Sequence, residues 1–347
     1  MRIFNYTEII QKAWLSFDPK RNIKSITDVS ARVSTNHVYK IVFQDGHVIF
    51  AKLSYFGNYD HFKEDHAIIN CLGNNLEPPF ENFLAKSLMK GNEVYTYRYN
   101  DELMDVWVVF YKPIEIKFKL PKRLNEQQIE MLGKQLALFH QSCSDMLPSL
   151  PESSKTMESD LRHLLEILET PNGKFIHRNH EDYIKSQCDL FFNNSEKTGY
   201  KDFENIPVFV DWNIGNFSVT EDTRLFSRWD YDWFRMCPRM MDFYFFSRVC
   251  STIGDKTHFS YLIDPMLEHR FLLFLKAYNE VSALTPREIF FMKETYRFFI
   301  LNYVIKDGRY FFHEIYAHRL QREAYEIYFP QLDEKFKPEK IIEYLNL

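Results

Sequence analysis

An α+β protein of two lobes is predicted by three features: a β-rich first third, a long helical remainder, and one short strand-turn-strand that interrupts the helices. The chain has 347 residues, more than one typical core organises, so two lobes fit its length. The boundary is expected at Pro113, giving an N-terminal lobe over 1–112 and a helical lobe over 113–347.

Each element follows from local pattern. HVYKIVFQDGHVIFAKLSY holds two β-rich runs split by Asp45-Gly46, a hairpin signal. YDHFKEDHAIINCLGNN places Ala67, Ile68, Cys71 and Leu72 at helical spacing, with a stop expected at Gly73. A second hairpin should turn at Gly91-Asn92, and DVWVVFYKPI reads as a buried strand ending before Pro113. Beyond it, Asn125 is the expected N-cap of a helix whose apolar face is Ile129, Leu132, Leu136 and Phe139. Two more helices are expected over 156–169 and 179–193, and an aromatic-rich helical region over 241–347. His177 and His180 read as a solvated helix start.

Composition narrows the function. With 45% hydrophobic and 26% charged residues the chain is globular, and its 33 Phe and 21 Tyr point to an aromatic core. A net charge of -5 argues against a nucleic-acid partner. Five scattered cysteines without a CxxC pair indicate neither a disulfide framework nor a zinc ribbon. No apolar run is long enough for a membrane span and no signal-peptide pattern opens the chain, so a cytoplasmic protein is expected.

The chemistry-bearing residues lie on the interruption. VFVDWNIGNFSV sets Asp211 and Asn216 five positions apart on a turn between apolar runs. A polar turn bonding its own backbone explains that stretch equally well by itself. Lys52, however, sits inside an apolar strand, where an ammonium needs a partner, and Glu64 on the next helix is in reach of it. Asp230 closes another apolar run. Phosphoryl transfer from ATP uses such parts: a lysine for the phosphates, a carboxylate for the attacking hydroxyl, and an amide oxygen plus a second carboxylate for Mg²⁺.

DWNIGN followed by WDYD resembles the aminoglycoside phosphotransferase/choline kinase family, which has a protein-kinase-like fold. RVSTNHVYKI, QLALFH and CPRMMDF resemble further elements of that family, in order, over about residues 25–250. The resemblance implies Asp211 as catalytic base, Asn216 and Asp230 as metal ligands, and Lys52 oriented by Glu64 on the phosphates of ATP or GTP. It also implies Ser34 and Asn36 in the phosphate loop, and adenine beside Tyr111 and Lys112. The implied partner is a small molecule bearing a hydroxyl. Asp242 and His140 would be structural supports. Two departures stand out: Phe209 and Val210 replace the family's His-Gly, and no glycine precedes Gly46. They keep open an inactive, nucleotide- or partner-binding alternative. Between Asp255 and Leu347 there are 14 acidic and 13 basic residues, so no acidic saddle for a polycation is indicated.

Overall fold

The protein is described by a computed structural model covering residues 5–30, 37–55, 57–253 and 260–347. Its first lobe is a five-stranded antiparallel sheet. The strands are β1 (Ile23–Asp28), β2 (His37–Phe43), β3 (Val48–Ser54), β6 (Thr96–Asn100) and β7 (Asp105–Tyr111), in the order β1-β2-β3-β7-β6. The short hairpin β4 (Met89–Lys90) and β5 (Glu93–Val94) turns where Gly91-Asn92 was expected. The β2–β3 turn places Gly46 at φ +83°, a conformation open to glycine.

One helix was not foreseen. Helix α1 (Tyr6–Phe17) lays Ile9, Ile10, Ala13 and Trp14 on the outer face of the sheet, against Ile41 and Phe43 of β2 and Ile49, Ala51 and Leu53 of β3. Because strand side chains alternate, this covering turns Phe50 and Lys52 to the opposite face, toward the helical lobe. The unforeseen helix therefore decides which way the lysine points.

Helix α2 (Tyr59–Asn75) passes through Gly73 rather than stopping there. A Cβ on Gly73 would lie 3.4 Å from the Leu84 Cβ, so the helix packs there against the segment bearing Leu84, and it ends before Pro78-Pro79. Helix α3 (Glu126–Met146) begins with a capping box between Asn125 and Gln128, and its four expected apolar residues are fully buried. The expected helix 156–169 is α4 (Met157–Glu169) and the expected helix 179–193 is α6 (Glu181–Thr198), with a short α5 (Pro171–Ile176) between them that was not expected. His177 is buried rather than solvated, and His180 stacks on Tyr325 at 3.9 Å.

The interruption is built from two small antiparallel pairs. β8 (Ile206–Val208) pairs with β11 (Arg235–Cys237), and β9 (Phe217–Val219) with β10 (Leu225–Arg228). Loop 209–216 links the two pairs. Then come α7 (Phe243–Cys250), α8 (His269–Val281) and α9 (Pro286–Phe299), which continues as a π-helical stretch over Ile300–Lys306. The aromatics of this half are core, as expected: Tyr296, Phe298 and Phe299 are buried.

Helices α3 and α8 approach closely at Gly133, where a Cβ would fall 2.4 Å from the Phe274 carbonyl oxygen. Gly133→Ala should therefore destabilise by about 1–3 kcal/mol through overpacking, despite alanine's better helix propensity. Urea unfolding reads the difference; a midpoint at or above wild type would show that the helices can part without cost.

Candidate active site

Lys52 is 5% exposed and its Nζ donates to Asp230 Oδ1 at 2.6 Å. It also lies 2.5 Å from Asp232 Oδ1. Burial opposes the ammonium's charge, but the two carboxylates outweigh it and raise the Lys52 pKa. Asp230 is likewise opposed by burial and held below the usual carboxylate range by Lys52. Asp232 goes the other way, pushed up to about 7 by burial with Asp230's like charge adding to it. Asp232 is thus a direct partner of the lysine.

Glu64 is not that partner. Its carboxylate accepts the Ser154 backbone N–H at 2.9 Å and the Ser154 hydroxyl at 2.8 Å. The reason is helical phase. Helix α2 turns His66 inward, and Glu64, two residues earlier, lies about 200° around the axis. Next to it, Asp65 takes Lys155 at 2.5 Å. Tyr111 is also employed elsewhere: its hydroxyl donates to His66 Nε2 at 2.6 Å, while His66 Nδ1–H donates to the Phe62 carbonyl at 2.8 Å. The Lys112 backbone N–H is spent on the Lys86 carbonyl at 2.9 Å, and its side chain is exposed. Ser34 and Asn36 lie outside the described residues.

Loop 209–216 positions Asp211 and Asn216. Asn216 Nδ2 donates to Asp211 Oδ2 at 3.0 Å, and Asn213 Nδ2 donates to Oδ1. Val210 stands at φ +60°, a costly left-handed conformation for a β-branched residue. The fully buried Asp242 holds it there by accepting the Phe209 N–H at 3.0 Å and the Val210 N–H at 2.6 Å. His140 Nε2–H donates to the other Asp242 oxygen at 3.0 Å, and the Tyr278 hydroxyl donates to its Nδ1 at 2.8 Å. Burial keeps His140 neutral by lowering its pKa. Phe209 is fully buried among Phe234 and Tyr231, with ring centroids at 5.3 and 5.6 Å.

The sequence reading passed over Arg228, which is fully buried and donates from Nη2 to the Asp211 carbonyl at 2.9 Å. Its only sequence signal is a lone cation after Leu225-Phe226-Ser227, weaker than a lysine inside an apolar strand. Trp229, the next residue, donates its N–H to the Asn216 carbonyl at 3.0 Å. Arg228 and Trp229 thus join the loop bearing Asp211 and Asn216 to Asp230, which itself has φ +69°.

The residues fit a Mg²⁺-nucleotide. Among the described residues no group of three or more His, Cys, Asp or Glu is placed to hold a metal. An Asn amide oxygen and one carboxylate suit Mg²⁺, which keeps waters and phosphate oxygens as its other ligands. Asn216 uses its NH₂ on Asp211, so the amide oxygen is the ligand end. Lys52 and the Asp232 N–H both address Asp230 Oδ1, and Oδ2 carries neither. The Asp230 side chain is 38% exposed, which leaves it accessible.

A cavity of about 520 Å³ adjoins Asp232, lined by Asp65, Lys155, Asp160, Arg235, Lys306 and Asp307 among others. Its acids and bases are mutually paired: Arg235 Nη2 to Asp160 at 2.9 Å, and Lys306 to Asp307 at 2.8 Å.

No protein-family model matches this chain, and no curated protein does. Solved structures share its architecture. The amicoumacin kinase hAmiN in complex with AMP-PNP, Ca2+ and Ami matches with a TM-score of 0.65 at 14% identity, over 97% of each chain. The microcompartment-associated aminopropanol kinase gives 0.60 at 13% identity, over 92% of this chain and 94% of that one. The GDP complex of wild-type aminoglycoside 2'-phosphotransferase-IIIa gives 0.56 at 11% identity, over 96% and 100%. At such identities the likeness shows the fold: this chain has the two-lobed, kinase-like architecture. Among the described residues no helix is long and apolar enough to cross a membrane.

Burial pushes His66 down to about 3 from an ordinary 6.5, with Lys52 and Lys155 adding to it. The folded state therefore binds fewer protons than the unfolded state between those values. Stability is lost as pH falls below about 6.5, at up to ~1.4 kcal/mol per pH unit from this group. His66→Gln should flatten that slope in denaturant titrations between pH 6.5 and 4. An unchanged slope would mean that His66 is not buried as a neutral ring.

Proposed function

We propose that this chain is an ATP-dependent phosphotransferase of the aminoglycoside phosphotransferase/choline kinase type, acting on a hydroxyl of a small molecule. One observation carries the reading. Lys52 and Asp230, 178 positions apart, meet at 2.6 Å beside a loop whose Asp211 and Asn216 are bonded to each other. The kinase-like fold and the bound nucleotides named for the similar structures support it.

ATP, or GTP, would lie between the lobes, with the base against Phe50 on the Lys52 face of β3. Lys52 would exchange one of its two carboxylates for the nucleotide's phosphate oxygens. Mg²⁺, held by Asn216 and Asp230, would neutralise charge on the β- and γ-phosphates. Asp211 would orient the acceptor hydroxyl and take its proton as the acceptor oxygen bonds to the γ-phosphorus. The bond to the β-phosphate oxygen breaks, and ADP departs.

Phe209 packs into the core where the family carries histidine, so the loop keeps its shape without that side chain. A purely binding role predicts nucleotide affinity with no transfer; the enzyme reading predicts both. Asp211→Asn should leave Mg-ATP affinity near wild type and cut turnover by ~10²–10⁴, read by ADP release in the presence of hydroxyl-bearing acceptors. Asp230→Asn should instead abolish the Mg²⁺ dependence of the ATP-induced rise in Tm. Wild-type turnover by the Asp211 variant would remove that residue from the chemistry.

A further inference from the structure

We propose that Arg228 is the positioning residue that sets Asp211 against Asp230, by holding the catalytic loop at the Asp211 carbonyl. Its catalytic consequence rests on the phosphotransferase reading above, whereas its geometric part can be tested without it.

Within the loop, Asn213 and Asn216 bond the Asp211 carboxylate, and the Phe209 and Val210 carbonyls accept the Asp211 and Trp212 amides. Phe209 and Val210 carry no polar side chain, and Val210 is held in the left-handed region. Asp242 secures the amides of Phe209 and Val210. The Asp211 carbonyl receives the Asn216 amide only at 3.4 Å, and Arg228 Nη2 takes it at 2.9 Å. The loop is thus held at its amides by Asp242 and at its Asp211 carbonyl by Arg228.

The guanidinium is itself fixed. Its carbon lies 4.8 Å from the Phe209 ring centroid and 4.3 Å from that of Trp212, the rings on either side of Val210-Asp211. Nε and Nη1 have no hydrogen-bond partner among the described residues, so these ring contacts are what they have instead. Burying a guanidinium on one conventional hydrogen bond is expensive, and a residue with no role would not be retained there cheaply. Burial pulls its pKa down, opposed by the carboxylates of Asp211, Asp242 and Asp230 around it.

The backbone of Arg228 is equally restrained. Its N–H donates to the Phe83 carbonyl at 2.6 Å. Its carbonyl accepts the Ala85 N–H at 3.1 Å and the Tyr231 hydroxyl at 3.0 Å. Asp230 follows two residues later, just past the end of β10. A shift of Arg228 would therefore move Asp211 and Asp230 relative to each other, which is the spacing an in-line transfer depends on. Lysine cannot substitute fully, since it lacks the planar fork that lies between two rings while donating to a carbonyl.

Hydrogen exchange and steady-state kinetics on R228M and R228K test the proposal. Amides of residues 209–216 should exchange at least about tenfold faster in R228M, while those of β2 and β3 keep wild-type protection. R228K should fall between. The Mg-ATP thermal shift should persist in both variants. With a turned-over acceptor, R228M should lower kcat by about tenfold or more with the KM for ATP little changed, and R228K should restore part of it. Loop protection at the wild-type level in R228M, or in R228K if R228M does not fold, overturns the proposal. So does a loss spread evenly over the whole molecule, which marks a residue of general stability. Absence of transfer by the wild-type protein to any acceptor would instead sink the phosphotransferase reading, and the exchange result would still decide the role of Arg228.

Discussion

A buried ammonium that neither lobe can satisfy alone governs this molecule. Lys52 is placed by the sheet, and Asp230 and Asp232 by the small strands of the helical lobe. Desolvating a lysine costs several kcal/mol unless carboxylates compensate it. The cluster therefore holds the lobes in register. It also sets one ammonium against two carboxylates on a cleft; in the proposed function the lysine would turn to the nucleotide's phosphates and Asp230 to its Mg²⁺.

The loop bearing Asp211 shows how a strained turn is made rigid. A β-branched residue at positive φ costs about 1–3 kcal/mol, and the surroundings must overdetermine it. Asp242 does so with two short bonds, and is itself oriented by His140, which is oriented by Tyr278. This chain is buried throughout, so each group has no water to fall back on and each bond counts more than it would at the surface. The aromatic packing around Phe209 and Trp212 excludes solvent from the same region.

The lobes are tied a second time along helix α2. Glu64 reaches Ser154, Asp65 reaches Lys155, and Lys155 also donates to the Phe234 carbonyl at 2.9 Å. Lys155 thus touches both the first lobe's helix and the segment following Asp232. His66 and Tyr111 complete the seam from the sheet side. Movement of α2 is in this way coupled to the cavity beside Asp232 rather than to Lys52 directly.

The sequence by itself determined the elements whose signals are local. The Asp45-Gly46 and Gly91-Asn92 turns, the Asn125 cap and the four-residue apolar face of α3 all came out as read, because each depends on residues a few positions apart. It also singled out Lys52, Asp211, Asn216 and Asp230, since polar groups embedded in apolar runs are visible without coordinates. Only the tertiary structure decided who meets whom. Glu64 looked near Lys52 in sequence, but helical phase turned it to Ser154. Asp232 became a second partner of the lysine through packing alone. Arg228 carried no pattern beyond a lone cation, and its hold on Asp211 exists only because β10 packs under the loop. Contacts between residues far apart in the chain are set by packing and phase, which no local window contains.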